Sequence, residues 1–336
     1  MKLSELYWHR ITPLHILLWP LSLLFNSFIS LRRLGYWLDL FPSVSLPVPV
    51  IVVDSMTIND ESRTPFILWL IRLLHSQGMR PGIVSHTDTD SPISPMAVTA
   101  SSDPAIVNGK SLLLAQQCGA ICPVWVGHDP VIVAQALLAA HPDCNVLINE
   151  GGLQYHRLQR DLEIIVINYS EASFGNGLIL PAGPLRESLK RLHNVDAVII
   201  NEERKRYADT RGWAPVFNMK LVSDTFYNLL NPDSHAAPAT FMNKRLHAVA
   251  GINHYPWFLN QLRRINLNAK LHAFSEHHRF IRQDIQFPDA EAVLMPEEEA
   301  AKCVNFADST LWALSVRASI YGNLQDVILK SLKKSK

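Results

Sequence analysis

From residue 48 to residue 201, short β-branched runs alternate with helical stretches, and this alternation narrows the folds open to the chain. Val48–Val53, Arg80–Ser85, Val124–Gly127, Asn145–Asn149, Glu163–Asn168 and Ala197–Asn201 read as strands. Pro65–Gln77, Gly109–Cys118 and Val131–Ala140 read as helices, and His86–Asp103 as a loop. Strands separated by helices call for an α/β fold with a mostly parallel sheet and helices on both faces. Residues 206–245, punctuated by Pro215, Pro232 and Pro238, read as an irregular connection. A second α/β run starts at Leu246–Gly251. It continues through a helix at Pro256–Ile265 and strands near Lys270–Phe274 and Ala292–Met295, and is expected to close with a helix at Ala307–Leu314. The expected division is therefore an N-terminal helix and linker (1–45), a first lobe (46–205), a connection (206–245) and a smaller second lobe (246–330).

The N-terminal apolar stretch Ile11–Leu31 is bounded by Arg10 and by Arg32 and Arg33. It is about long enough to cross a bilayer, has no small-residue cleavage site, and is interrupted by Pro20 and several polar residues. The preferred reading is an amphipathic helix lying in a membrane interface, with Trp8, Trp19, Tyr36 and Trp37 at the boundary. A buried helix and a single-span anchor are the alternatives. The 31 basic and 30 acidic residues leave a net charge of +1, which gives no argument for a nucleic-acid partner. Cys118, Cys122, Cys144 and Cys303 fit a reducing compartment, and no second Cys/His pair turns Cys118 and Cys122 into a zinc site.

The first strand runs into the polar loop Asp54–Ser62 and then the helix-forming Phe66–His75. This is where a nucleotide-binding α/β protein carries its phosphate loop, G-x-x-x-x-G-K-[ST]. Here Ser62-Arg63-Thr64 stands in place of Gly-Lys-Thr, and no glycine lies between Val53 and Pro65. Asp54, Asp60 and Glu61 put carboxylates in a region that would face polyphosphate, each like-charge pair costing about 1–4 kcal/mol at about 4 Å.

Two further stretches carry a specific pattern: Asn149-Glu150-Gly151-Gly152-Leu153-Gln154-Tyr155-His156-Arg157-Leu158, and Leu180-Pro181-Ala182-Gly183-Pro184-Leu185-Arg186-Glu187. With Ala250-Gly251-Ile252, Phe274-Ser275-Glu276-His277-His278-Arg279-Phe280 and Ala292–Lys302, they resemble the tetraacyldisaccharide 4'-kinase family over roughly residues 5–325. The resemblance implies a P-loop-kinase-like fold of two lobes with a membrane-lying N-terminal helix. It further implies transfer of the ATP γ-phosphoryl group to the 4'-hydroxyl of an acylated disaccharide lipid, at the cytoplasmic face of a bacterial inner membrane, with ATP and Mg²⁺ as cofactors. The family's G-N-L-T-x-G-G-x-G-K-T-P run falls on Asp54–Pro65, which makes Thr57, Ser62, Arg63 and Thr64 the nucleotide candidates. Its paired aspartates fall on Glu150 and Gly151, leaving Thr64 and Glu150 to hold Mg²⁺. Its Gly-Asp-Glu-Pro segment falls on Asn108-Gly109-Lys110-Ser111, where the carboxylate is absent. Arg186, Glu187, His277 and His278 remain as catalytic candidates, with one histidine accepting the hydroxyl proton. The alternative implied by the altered loop is an inactive paralogue that keeps the membrane and lipid surfaces.

Overall fold

The computed structural model describes residues 8, 12–57, 62–86, 94–169, 174–202, 210, 212–252, 255–275 and 278–334. The candidates Asp60, Glu61 and His277 lie outside the described residues. Strand β1 (Val50–Ser55) is buried along its whole length, as a strand covered on both faces must be. Helix α1 (Leu14–Trp37) precedes it and α2 (Arg63–Ser76) follows it. The first half continues with β2 (Pro81–His86), β3 (Met96–Val98), α3 (Gly109–Cys118), β4 (Val124–Gly127), α4 (Pro130–Ala140), β5 (Val146–Glu150), β6 (Leu162–Tyr169) and β7 (Ala197–Glu202). The strands and helices read from the alternation are all present, most within two residues of the expected bounds. The short β3 falls within the stretch expected to be a loop.

The second half departs further from expectation. The stretch expected to be irregular contains β8 (Val216–Asn228), a 13-residue strand, and the short β9 (His235–Ala236). Then come β10 (Leu246–Gly251), α5 (Tyr255–Arg264), β11 (Ala269–Phe274), α6 (Arg282–Ile285), β12 (Ala292–Pro296), α7 (Glu297–Cys303), β13 (Leu311–Tyr321) and α8 (Leu324–Lys334). The helix expected at Ala307–Leu314 is a correction: Leu311 begins a strand that pairs antiparallel with β8 and parallel with β12. A short apolar run does not declare its period, and here the open edges of two strands supply its backbone partners.

One sheet runs through both halves in the order β11-β10-β12-β13-β8-β7-β6-β1-β5-β2-β4-β3, with β9 beside β8. Pairing is parallel except at β13–β8, β3–β4 and β8–β9. Apolar cores fill the two faces of the first half: Ile51 and Val53 pack with α2 and α3, whereas Val50 packs with α4. Two further cores flank the second half, around Phe258 and Leu294 and around Val249 and Ile285. The chain leaves β1 towards β2 on one side and returns to β6 on the other, so the direction of winding reverses at β1. In such sheets the ligand crevice opens at the carboxyl ends of the strands at this switch point.

Helix α1 is not a core helix. Only His15, Ser22 and Gly35 are buried, while Ile16 is 79%, Leu17 75% and Leu24 68% exposed. The residues turned inwards, among them His15, Leu18, Ser22, Phe25, Asn26, Ile29 and Arg33, recur at helical spacing and mix polar anchors with apolar side chains. The apolar face points away from the protein.

Candidate functional site

At the end of β1 the Asp54 carboxylate is 2% exposed and gathers donors from three segments. Oδ1 accepts the Ser55 amide at 2.7 Å and Arg63 Nη1 at 2.9 Å, and Oδ2 accepts the Leu153 amide at 3.0 Å. Arg186 Nη1 lies 3.8 Å from Oδ1. Arg63 is the first residue of α2, with Ser62 as N-cap and Thr64 next; Ser62 and Thr64 are both buried. Thr57 pairs by a β-bridge with Leu185, and the Arg186 amide donates to the Met56 carbonyl at 2.9 Å. The segment ending at Glu187 is therefore laid directly against the loop that leaves β1.

Strand β5 brings Glu150 to the same point. Its Oε1 is 3.5 Å from Arg63 Nε, and its Oε2 accepts the Ser85 hydroxyl at 2.9 Å. Ser85 in turn accepts the Ser111 hydroxyl at 3.0 Å, and Asn108 caps α3 by accepting the Ser111 amide at 2.8 Å. The Asn108–Ser111 segment thus adds a hydroxyl, not a carboxylate, to the Glu150 network. Gly151 has φ +74°, and a Cβ there would meet only Arg63 Nη1, at 3.9 Å. Gly109 leaves no such room, because a Cβ would sit 2.5 Å from Lys302 Cε of α7.

Among the described residues no group of three His, Cys, Asp or Glu side chains converges as a self-contained metal site. A Mg²⁺ shared with phosphate oxygens needs only one or two carboxylates and hydroxyls. Buried Glu150 and the Thr64 hydroxyl, all hard oxygen donors at adjacent strand and helix ends, fit that requirement.

Glu187 is 4% exposed, and its Oε1 has no hydrogen-bond partner among the described residues. Oε2 is 3.6 Å from Arg191 Nε, and Arg191 also pairs with Glu163, which Arg160 holds at 2.8 Å. Burial pushes the Glu187 carboxyl up to about 7, against the opposing pull of Arg191 and of Arg33 from α1. A buried carboxyl that titrates near neutrality is an acid–base candidate. Gln154 braces the same segment by donating to the Arg186 carbonyl at 3.2 Å.

His278 is placed elsewhere. It follows β11, the far edge strand, where its Nε2 lies 2.8 Å from Asp284 Oδ2 and its ring packs on Phe274 and Phe280. The structure brings Arg63, Glu150 and Arg186 together around Asp54, with Ser62 and Thr64 beside Arg63 at the start of α2 and Thr57 bridged to Leu185. Glu187 follows Arg186 but turns its carboxylate to Arg191, and His278 has its own carboxylate partner. Asp54, Ser85 and Ser111 join the cluster without having been read as site residues from the sequence. A second set also escaped that reading: His86 Nε2 meets the Tyr155 hydroxyl at 2.5 Å, with His128 5.7 Å away between ring centres. Its only sequence signal is that His86 and His128 both stand at or just beyond strand ends. A cavity of about 60 Å³ beside Thr64 is lined by Pro65, Lys110, Trp257 and Glu298 among others, so α5 and α7 reach the start of α2.

A family model described as Tetraacyldisaccharide-1-P 4'-kinase matches residues 14–333. The chain belongs to that family. The tetraacyldisaccharide 4'-kinase of Nitrosomonas eutropha is 44% identical over 333 residues, covering 99% of this chain and 84% of that protein. The Nitrosomonas europaea enzyme is 41% identical with the same coverage. The Azoarcus sp. enzyme is 38% identical over 99% of this chain and 96% of its own. A crystal structure described as the "apo" form of LpxK from Aquifex aeolicus in complex with ATP matches with a TM-score of 0.80, covering 95% of this chain and 99% of that one. At 21% identity that likeness shows the fold. The strand-to-helix junction between Asp54 and Thr64 thus belongs to a chain of the tetraacyldisaccharide 4'-kinase family, and its sequence holds no glycine.

Proposed function

We infer that this chain transfers the γ-phosphoryl group of ATP to the 4'-hydroxyl of a tetraacyldisaccharide 1-phosphate, a step in lipid A biosynthesis. The observation that carries this reading is the convergence of Arg63 and Thr64, at the start of α2, with Glu150 and Arg186 at the switch point of a kinase-family fold. The relatives are named for the kinase, and nothing in the comparisons speaks for the inactive alternative.

Phosphoryl transfer asks the protein for positioning and charge neutralisation more than for covalent chemistry. The N-terminal end of α2 receives anions through its dipole. Arg63 supplies the cation given by lysine in the family pattern, as a planar fork in place of a compact ammonium. Thr64 and Glu150 hold Mg²⁺, which when bound neutralises charge on the phosphate oxygens. Arg186, directed at the same Asp54 oxygen as Arg63, adds a second cation to neutralise the transferred group. Glu187, raised to about 7 by burial, takes the proton of the acceptor hydroxyl. His278 is the second reading for that base, because Asp284 at 2.8 Å orients its ring as a catalytic histidine requires.

The outward apolar face of α1 lies in the inner-membrane surface on its cytoplasmic side and brings the site to an acceptor that cannot leave the bilayer. Its length and composition also meet the requirement for crossing a membrane. The hydrogen bonds of His15 and Ser22 to the 176–182 segment favour a helix lying on the surface, docked against the protein. The test in cells is complementation. Expressed in bacteria depleted of their own 4'-kinase, the chain should restore growth and 4'-phosphorylated lipid A by mass spectrometry. Accumulation of the unphosphorylated precursor despite normal protein levels would refute the reading.

A further inference from the structure

The carboxylate of Asp54 is held as a bound anion would be. It is almost wholly buried, takes two backbone amides (Ser55 at 2.7 Å, Leu153 at 3.0 Å), and has two guanidiniums directed at one oxygen: Arg63 at 2.9 Å and Arg186 at 3.8 Å. Those guanidiniums come from two segments far apart in sequence, the start of α2 and the stretch beside Thr57. They are also the cations placed to meet phosphate. Glu150 adds a second carboxylate to Arg63 at 3.5 Å. A guanidinium committed to a buried carboxylate gives up charge-assisted hydrogen bonds of about 1.5–3 kcal/mol when it leaves.

We propose that Asp54 is a specificity-determining residue that competes internally with phosphate for Arg63 and Arg186, so polyphosphate binds only by exchanging with this carboxylate. The exchange sets the nucleotide affinity of the site and favours a ligand with enough negative charge to win both guanidiniums, a triphosphate over a monophosphate. Only the identity of that ligand as ATP rests on the kinase reading. Asp54 acts through the two arginines and needs no contact with substrate.

The test measures binding of inorganic tripolyphosphate by calorimetry, in EDTA so that metal binding is removed from the comparison. Asp54→Asn keeps the shape and one acceptor oxygen but releases the charge, and should bind tripolyphosphate about tenfold more tightly than the unaltered protein. The double variant Asp54→Asn/Arg63→Ala should lose that gain, which a merely structural effect of residue 54 would not require. Asp54→Ser replaces Asn if the first variant fails to fold, with thermal melting as the check. Equal or weaker binding by a folded Asp54 variant, or a gain that survives loss of Arg63, overturns the proposal. The two claims fail separately. A tighter-binding variant of a protein that transfers no phosphate keeps the competition and rejects the kinase. A turning-over protein whose Asp54 variants bind no better does the reverse.

Discussion

The Ser22 hydroxyl donates to the Ile179 carbonyl oxygen at 2.9 Å, and Ser22 Oγ itself accepts the Ala182 amide at 3.0 Å. Nearby, Asn176 Nδ2 meets His15 Nε2 at 2.8 Å and Trp8 Nε1 donates to the Pro181 carbonyl at 3.3 Å. Helix α1 is therefore pinned by side-chain hydrogen bonds to the segment that ends in Arg186 and Glu187. Ser22→Ala removes a donor and an acceptor together and leaves the Ala182 amide without its partner. The expected cost is about 1–3 kcal/mol. Amide hydrogen exchange at residues 178–183 should accelerate in this variant, and unchanged protection there would show the link to be incidental.

Leu17, Leu24 and Phe28 lie on the exposed face, at 75%, 68% and 63%. Replacing all three by Glu should leave the melting temperature within a few degrees, because most of each side chain already faces away from the protein. The same variant should lose retention on anionic vesicles in a flotation assay. Full retention would place the membrane contact elsewhere.

The legible part of the sequence was the part whose pattern is local. Parallel strands buried on both faces announce themselves as runs such as Val50–Val53, and Asn108 and Asp129 cap their helices where the pattern breaks. The helix expected at Ala307–Leu314 failed because β13 is specified by its neighbours β8 and β12, and β8 itself was hidden by alternating polar residues and flanking prolines. For the site, position was legible and charge pairing was not. Asp54 looked like an obstacle to phosphate, yet it is bonded to Arg63 and Arg186, the second of which is 132 residues away (186 − 54). Ser85 and Ser111 gave no signal beyond lying in segments matched to the family, because a hydroxyl relay to Glu150 exists only once β2, β5 and α3 are side by side.

Glu150→Gln keeps an oxygen to accept the Ser85 hydroxyl but removes its charge from the buried pair with Arg63, which Asp54 still holds, so the stability cost should be about 1–3 kcal/mol. It removes the one carboxylate assigned to the metal. The Mg²⁺ concentration giving half-maximal activity should rise about tenfold or more, and kcat should fall on the order of 100-fold. A Mg²⁺ titration that overlays the unaltered protein would remove Glu150 from the metal site.

The Glu187 carboxyl stands at about 7 in the folded protein against an ordinary 4.5. The folded state therefore holds a proton that the unfolded state has released across this interval. This contribution to stability is complete below pH 4.5 and is lost as pH rises to about 7. Glu187→Gln abolishes the loss. Urea unfolding should show the variant gaining on the unaltered protein between pH 5 and 8, by on the order of 2–3 kcal/mol at most. The faces opposing Glu187 carry Arg191, Arg33, Glu163 and Asp54, so the comparison needs the same salt throughout. If Glu187 is the base, the kinetic limb near pH 7 should vanish in this variant and persist in His278→Asn; the reverse outcome assigns the proton to His278.

The most direct measurement of the central claim is transfer of label from γ-³²P-ATP to purified tetraacyldisaccharide 1-phosphate, in mixed micelles with Mg²⁺. The account predicts a labelled 4'-phosphate product that depends on Arg63, Glu150 and Arg186. No labelled product from a folded, micelle-bound protein at millimolar ATP would contradict it.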